Sequence, residues 1–89
     1  MSFRTPDHVL EEQIGEEIVL LSLQRETFFS LNSSGIELWA AIKEGADRAA
    51  LAARLVARFG LEAGQAEHDA NAFVDELLQL NLIEAALAD

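Results

Sequence analysis

The chain has no cysteine, one proline, few bases and no long apolar run. Without cysteine there is no disulfide framework, no thiolate zinc site and no thiol nucleophile. Six basic residues stand against sixteen acidic ones, a net charge of −10. The six are Arg4, Arg25, Lys43, Arg48, Arg54 and Arg58, and they are scattered. Nucleic-acid binders neutralise phosphates with clustered Lys and Arg, so DNA or RNA is a poor partner. An anionic bilayer surface repels such a chain for the same reason. No apolar run exceeds five residues, far below the roughly 20 residues of a membrane span. No basic start followed by an apolar stretch marks a secretory signal, so the expected location is the cytoplasm. The glycines, at 15, 35, 45, 60 and 64, never cluster into a phosphate-cradling loop.

What is present fits one small α+β domain. The 89 residues are 51% hydrophobic and 25% charged, a globular composition. Residues 1–7 read as a flexible arm, 8–84 as one domain and 85–89 as a tail. His8–Gln13 is a short, weak strand candidate, followed by a turn at Ile14-Gly15-Glu16. Glu17–Leu23 alternates, with Val19, Leu21 and Leu23 on one face and Ile18, Leu20 and Ser22 on the other. Thr27–Leu31 is the third predicted strand, with Phe29 and Leu31 on one face and Phe28 and Ser30 on the other. The short connections predict an antiparallel meander.

Three helices follow. Ser34 and Glu37 have capping-box spacing, with Asn32 and Ser33 as rival caps. Ile36, Trp39 and Ile42 form the expected buried stripe of the first helix. Asp47 caps a second helix carrying Leu51, Leu55 and Phe59, and Gly60 is its left-handed stop. Leu61–Gln65 reads as a loop. A third helix is predicted over Ala66–Leu80, with Asn81 as its stop and Leu82-Ile83 folding back onto the core.

The third helix has more apolar surface than a core-facing stripe requires. With Phe73 at 0°, Leu77 lies at about 40°, Ala70 at about 60°, Val74 at about 100° and Leu78 at about 140°. The excess predicts one wall of a groove lined by Ala70, Phe73, Val74 and Leu77; the alternative is that all of it is core. The strand Thr27–Leu31 carries neither charge nor proline, the usual guards of an exposed edge. An apolar edge beside an apolar helix face suits β-strand addition of a peptide. Against that, the strand could lie mid-sheet or under the arm. His8 and His68 lack partner motifs, and Glu67, Asp69, Asp75 and Glu76 read as a solvated acidic face. Catalysis by this chain is not expected, and no cofactor or metal is implied.

The runs Ile18–Leu23, Thr27–Asn32 and Gly35–Trp39 have a familiar order. So do Leu51…Leu55…Phe59 and Asp69…Phe73…Leu77…Leu82-Ile83. Together, from Val9 to Glu84, they resemble the PqqD family. The resemblance implies a winged helix-turn-helix-like fold whose third strand and third helix clasp the leader of a ribosomally made precursor peptide. It places the strand motif on Thr27, Phe28, Phe29, Ser30 and Leu31. It places the third-helix acidic position on Asp69 and the helix-packing positions on Phe73 and Leu77. The segment before Leu23 lacks the pattern of the quinone-cofactor pathway member. The tip Gln24–Thr27 replaces the usual glycine turn. These departures point to a standalone recognition element of another pathway, lasso-peptide first and radical-SAM maturation second. The implied partners are the leader and a separate maturation enzyme. The rival readings are a winged-helix DNA-binding regulator, disfavoured by the acidic third helix, and a structural subunit dimerising through the same edge.

Overall fold

In the computed structural model, which describes residues 2–86, the elements run β1 (Ser2–Arg4), β2 (Val9–Ile14), β3 (Glu17–Ser22), β4 (Thr27–Leu31), α1 (Ser33–Lys43), α2 (Arg48–Phe59), α3 (Ala63–Gln79) and β5 (Glu84–Ala86). The expected antiparallel meander forms, in the order β2-β3-β4. Its register pairs Leu20 with Phe29 and Ile18 with Leu31 on the inner face, and Leu21 with Phe28 and Val19 with Ser30 on the outer. Leu20 and Leu31 are fully buried, whereas Phe28 is 71% exposed. The two-residue period therefore sorts the faces as the sequence pattern requires.

Residues 2–4 differ from the expected arm. Ser2–Arg4 pairs antiparallel with Glu84–Ala86 to make a second, two-stranded sheet. Phe3 supplies the reason: its ring is buried, and the Arg48 guanidinium lies 6.0 Å from the ring centroid. A three-residue strand has too little period to announce itself in sequence. The predicted tail likewise begins as strand β5, and its residues 87–89 lie outside the described residues, as does residue 1.

The helix caps show which residue wins each local competition. The Asn32 side chain accepts from the Gly35 amide at 2.9 Å, so Asn32 is the cap of α1. The Ser34–Glu37 capping box does not form: Ser34 donates to Asn32, and Glu37 instead holds Arg54 at 2.7 Å. Asp47 caps α2 through the Ala50 amide, and Gly60 ends it at φ 66°. Helix α3 starts three residues earlier than predicted, behind Glu62 with no side-chain cap. Without that cap signal, and with Gly64 in its first turn, the start resembles a loop. Asn81, at φ 58°, closes the helix, and the Leu82 amide donates back to the Leu77 carbonyl. Leu82 and Ile83 then return to the core, as expected.

That core is built on Leu20, Leu31, Trp39, Leu51, Leu55, Val74 and Leu77, where the sheet's inner face meets the three helices. Ile36, expected within it, is half-buried, while Leu38 and Ala41 join Trp39 and Ile42. Trp39 also fixes the sheet to α1. Its indole N–H donates to Glu11 Oε1 at 2.8 Å, and Lys43 Nζ donates to the same oxygen at 2.9 Å. These two charge-assisted bonds hold the Glu11 carboxyl below the usual carboxylate range, the Trp39 bond contributing most.

Candidate functional site: a groove beside an open sheet edge

Strand β4 is the edge of the meander, with β3 as its strand partner among the described residues. Among the described residues it is neither central nor covered by residues 2–7, since β1 pairs with β5 instead. An antiparallel edge strand turns alternate N–H and C=O groups away from its partner, ready to pair with an added strand.

Next to that edge lies a groove of about 510 Å³. Phe29, Ser30 and Leu31 of β4 form one side, and Asp69, Ala72, Phe73 and Glu76 of α3 form the other. Asn32, Ser34, Gly35 and Leu38 floor it from α1, and Leu55, Phe59 and Leu61 close one end. Gly35 has a definite part here. A Cβ at that position would meet Asn32 Oδ1 and Leu31 Cδ2 at 3.3 Å and the Phe73 ring at 3.4 Å. Its hydrogen therefore lets α1, β4 and α3 converge beneath the groove.

Five of the ten expected site residues line this groove: Phe29, Ser30, Leu31, Asp69 and Phe73. Thr27 and Phe28 share β4 but stand elsewhere. Phe28 projects from the outer face, and Thr27 Oγ1 is buried without a hydrogen-bond partner. Ala70, Val74 and Leu77 are core residues, each no more than 1% exposed, and they form no groove wall. The expectation that Val74 lines the groove is therefore corrected. The angular arithmetic shows why. Ala66, Leu77, Ala70 and Val74 span about 20° to 100° and face the core, whereas Phe73, Asp69, Glu76 and Ala72 span about 0° to −100° and face the groove. The groove opens on the opposite side of Phe73 from the one predicted.

The residues missed were Ala72, Glu76, Phe59 and Leu61, together with the α1 floor. A signal for one of them existed: Glu76 lies about 20° from the expected Asp69 on the helical wheel, beside Phe73, yet its acidity reads as part of a solvated face. Phe59 follows Leu51 and Leu55 on the apolar stripe of α2, yet it is 43% exposed and reaches the groove.

The groove's charged lining is wholly acidic. Asp69 accepts from Gln65 Nε2 at 2.7 Å, and neither Asp69 nor Glu76 has an ion-pair partner among the described residues. Five of the six cations pair elsewhere: Arg4 with Glu84, Lys43 with Glu11, Arg48 with Asp75, and Arg54 and Arg58 with Glu37. A helix with this charge cannot serve as a phosphate-tracking recognition helix. Among the described residues, no group of three or more His, Asp or Glu could hold a metal, and no helix is long and apolar enough to cross a membrane. The arrangement offers main-chain pairing, apolar pockets and negative charge, which are the means of binding an extended peptide.

The PqqD family (coenzyme PQQ synthesis protein D) matches residues 17–83, and the chain belongs to that family. No curated protein matches the chain. Two solved structures share its fold across almost its whole length. One is TbiB1 in complex with the TbiA(beta) leader peptide, 27% identical with a TM-score of 0.83, the match covering 99% of this chain and 100% of that one. The other is a lasso peptide synthetase B1 complexed with the leader peptide. It is 22% identical with a TM-score of 0.86, the match covering 96% of this chain and 100% of that one.

Proposed function

We propose that this protein binds the leader segment of a ribosomally made precursor peptide by strand addition to β4. It then delivers that precursor to a separate maturation enzyme in the cytoplasm, without a catalytic step of its own. The observation that carries the reading is the open β4 edge running beside an apolar groove. Membership of the PqqD family and the likeness to leader-bound TbiB1 and synthetase B1 support the leader as ligand and a lasso-peptide system as the pathway.

The leader pairs through its main chain with Thr27–Leu31. Alternate side chains enter the groove, where Phe29, Phe73, Phe59 and Leu61 receive apolar anchors. Asp69 and Glu76 stand where a Lys or Arg of the leader is accommodated. The intervening side chains emerge on the outer face beside Phe28. Main-chain bonds supply a general affinity for strands, and the pockets select among sequences.

Strand addition has a signature that no other binding mode shares. An added strand bonds β4 with every second amide, so methylating single amides along the leader should weaken binding with a period of two. The first probe is the TbiA(beta) leader peptide, followed by the leader of the cognate precursor, each titrated calorimetrically. Amides facing β4 should cost tenfold or more in affinity on methylation, about 1.4 kcal/mol, and their neighbours little. A leader that binds tightly but tolerates methylation at every position would overturn the strand-addition reading.

A further inference from the structure

The described residues include six large hydrophobic side chains that are clearly exposed: Leu10, Ile14, Leu23, Phe28, Val56 and Phe59. Phe59 belongs to the groove, and Val56 lines a separate hollow between α2 and α3. The other four gather on the outer side of the meander, away from the core. Leu10 pairs with Leu21, and Leu21 pairs with Phe28, so one apolar row crosses all three strands. Val19 continues the patch on β3, and Leu23 extends it into the β3–β4 turn. Leu23 is 62% and Ile14 63% exposed, so these side chains are not sheltered by the fold.

A soluble domain does not leave such a row uncovered without a use for it. The charges beside it narrow the occupant. On the outer face of the strands the charged residues are Glu12, opposite Val19, and Glu17, opposite Ile14. No strand residue on that face is basic. A second copy of this chain would bring the same carboxylates against these and add its own net charge of −10. A partner with an apolar centre and a lysine- or arginine-bearing rim meets both demands.

We propose that this outer face docks the maturation enzyme, through an apolar patch on that enzyme flanked by basic residues. The inference rests on the leader-binding reading, which also explains the position of the patch. Phe28 stands at the open edge, so a strand added to β4 lengthens the apolar row with its own outward side chains. The enzyme then meets one continuous surface, part domain and part leader, with the downstream precursor held beside it. The loaded complex presents more docking surface than the empty protein, so the enzyme binds the loaded form more tightly.

The test separates the two surfaces by distance. Leu10 lies on β2, two strands from the open edge, or roughly 9–10 Å at ordinary strand spacing. Leu10→Ser with Leu23→Ser removes apolar surface without touching the leader's path, and Glu12→Lys reverses a rim charge. The probes are the cognate leader peptide and the purified enzyme that processes the cognate precursor. The serine variant should keep leader affinity within about twofold while its affinity for the enzyme falls tenfold or more. Glu12→Lys, an exposed charge change that the fold should bear, should weaken the enzyme complex several-fold at low salt and less at high salt. Wild-type protein with leader should bind the enzyme more tightly than wild-type protein alone. Unchanged enzyme affinity in both variants overturns the proposal. A wild-type dimer in light scattering that the serine pair abolishes also overturns it, by giving the face to a second copy. The leader titration of the wild-type chain reports on the leader function independently of these outcomes.

Discussion

Val74 and Phe73 are adjacent in sequence and opposite in role, which makes their truncation a sharp test of where the groove lies. Val74 is completely buried beneath α3. Val74→Ala removes two methyl groups, about 1.6 kcal/mol at roughly 0.8 kcal/mol for each. The unfilled space adds a cavity term, bringing the loss to about 2–3 kcal/mol. A domain of this size holds only about 5–10 kcal/mol in all. At about 4–8 °C for each kcal/mol, the melting temperature should fall by roughly 10–20 °C. Leader affinity, measured at a temperature where the variant is folded, should stay within about threefold, because Val74 does not reach the groove. Phe73 is half-buried, with its ring beside Gly35 and part of its surface in the groove. Phe73→Ala should cost less stability than a fully buried aromatic, about 1–2 kcal/mol against the usual 3–5. It should weaken leader binding by tenfold or more, as loss of a central anchor does. Thermal melts and calorimetric titration of both variants give the answer. If Val74→Ala melted like wild type and lost the leader, or if Phe73→Ala bound as well as wild type, the groove would lie on the other side of α3.

Two further outcomes follow from charge. Because Glu11 has a depressed pKa when folded, its bonds to Trp39 and Lys43 contribute stability above the ordinary glutamate pKa, and that contribution is lost as pH falls through the lower folded value. Trp39 is the sole tryptophan, so its fluorescence should report Glu11 protonation with a midpoint below the usual glutamate value of about 4.3. Glu11→Gln should abolish that transition, and a midpoint at or above the usual value would contradict the assignment. In the groove, Asp69→Lys with Glu76→Lys should weaken a lysine-bearing leader and improve one carrying glutamate in its place. For the wild type the affinity should fall shallowly with salt, since apolar anchors and main-chain bonds dominate. A slope as steep as those of phosphate-neutralising proteins would count against that balance.

Much of this architecture is legible in the chain because local signals and tertiary packing coincide. The alternation in Glu17–Ser22 and Thr27–Leu31 sets both sheet faces. Asp47 caps through its side-chain oxygen, and Gly60 and Asn81 stop their helices because they adopt the left-handed backbone readily. Where a signal is shared by rivals, sequence leaves the choice to tertiary contacts. Ser34 and Glu37 had the spacing of a capping box, but the Asn32 oxygen reaches the Gly35 amide and Arg54 claims Glu37. Strand β1 is set by the burial of Phe3 and by a partner strand some eighty residues away, neither of which a local pattern can reveal.

The candidate site divides along the same line. Its strand half was readable because a sheet has two faces and a period of two, so placing Phe29 and Leu31 inside fixes every neighbour. Its helix half was not, because an apolar arc does not say which of its flanks meets the core. Alanine decides that question physically. Ala66 and Ala70 let α3 approach its neighbours closely, and Val74 and Leu77 fill the space beside them, so that flank becomes interior. The opposite flank carries Asp69 and Glu76, whose carboxylates cannot be buried unpaired and must face water or a cationic ligand. The same two acids that disguise this flank as solvent surface oppose its burial, because closing the groove would desolvate both carboxylates. Replacing them with leucine would favour closure of α3 against β4 and would trade peptide binding for stability.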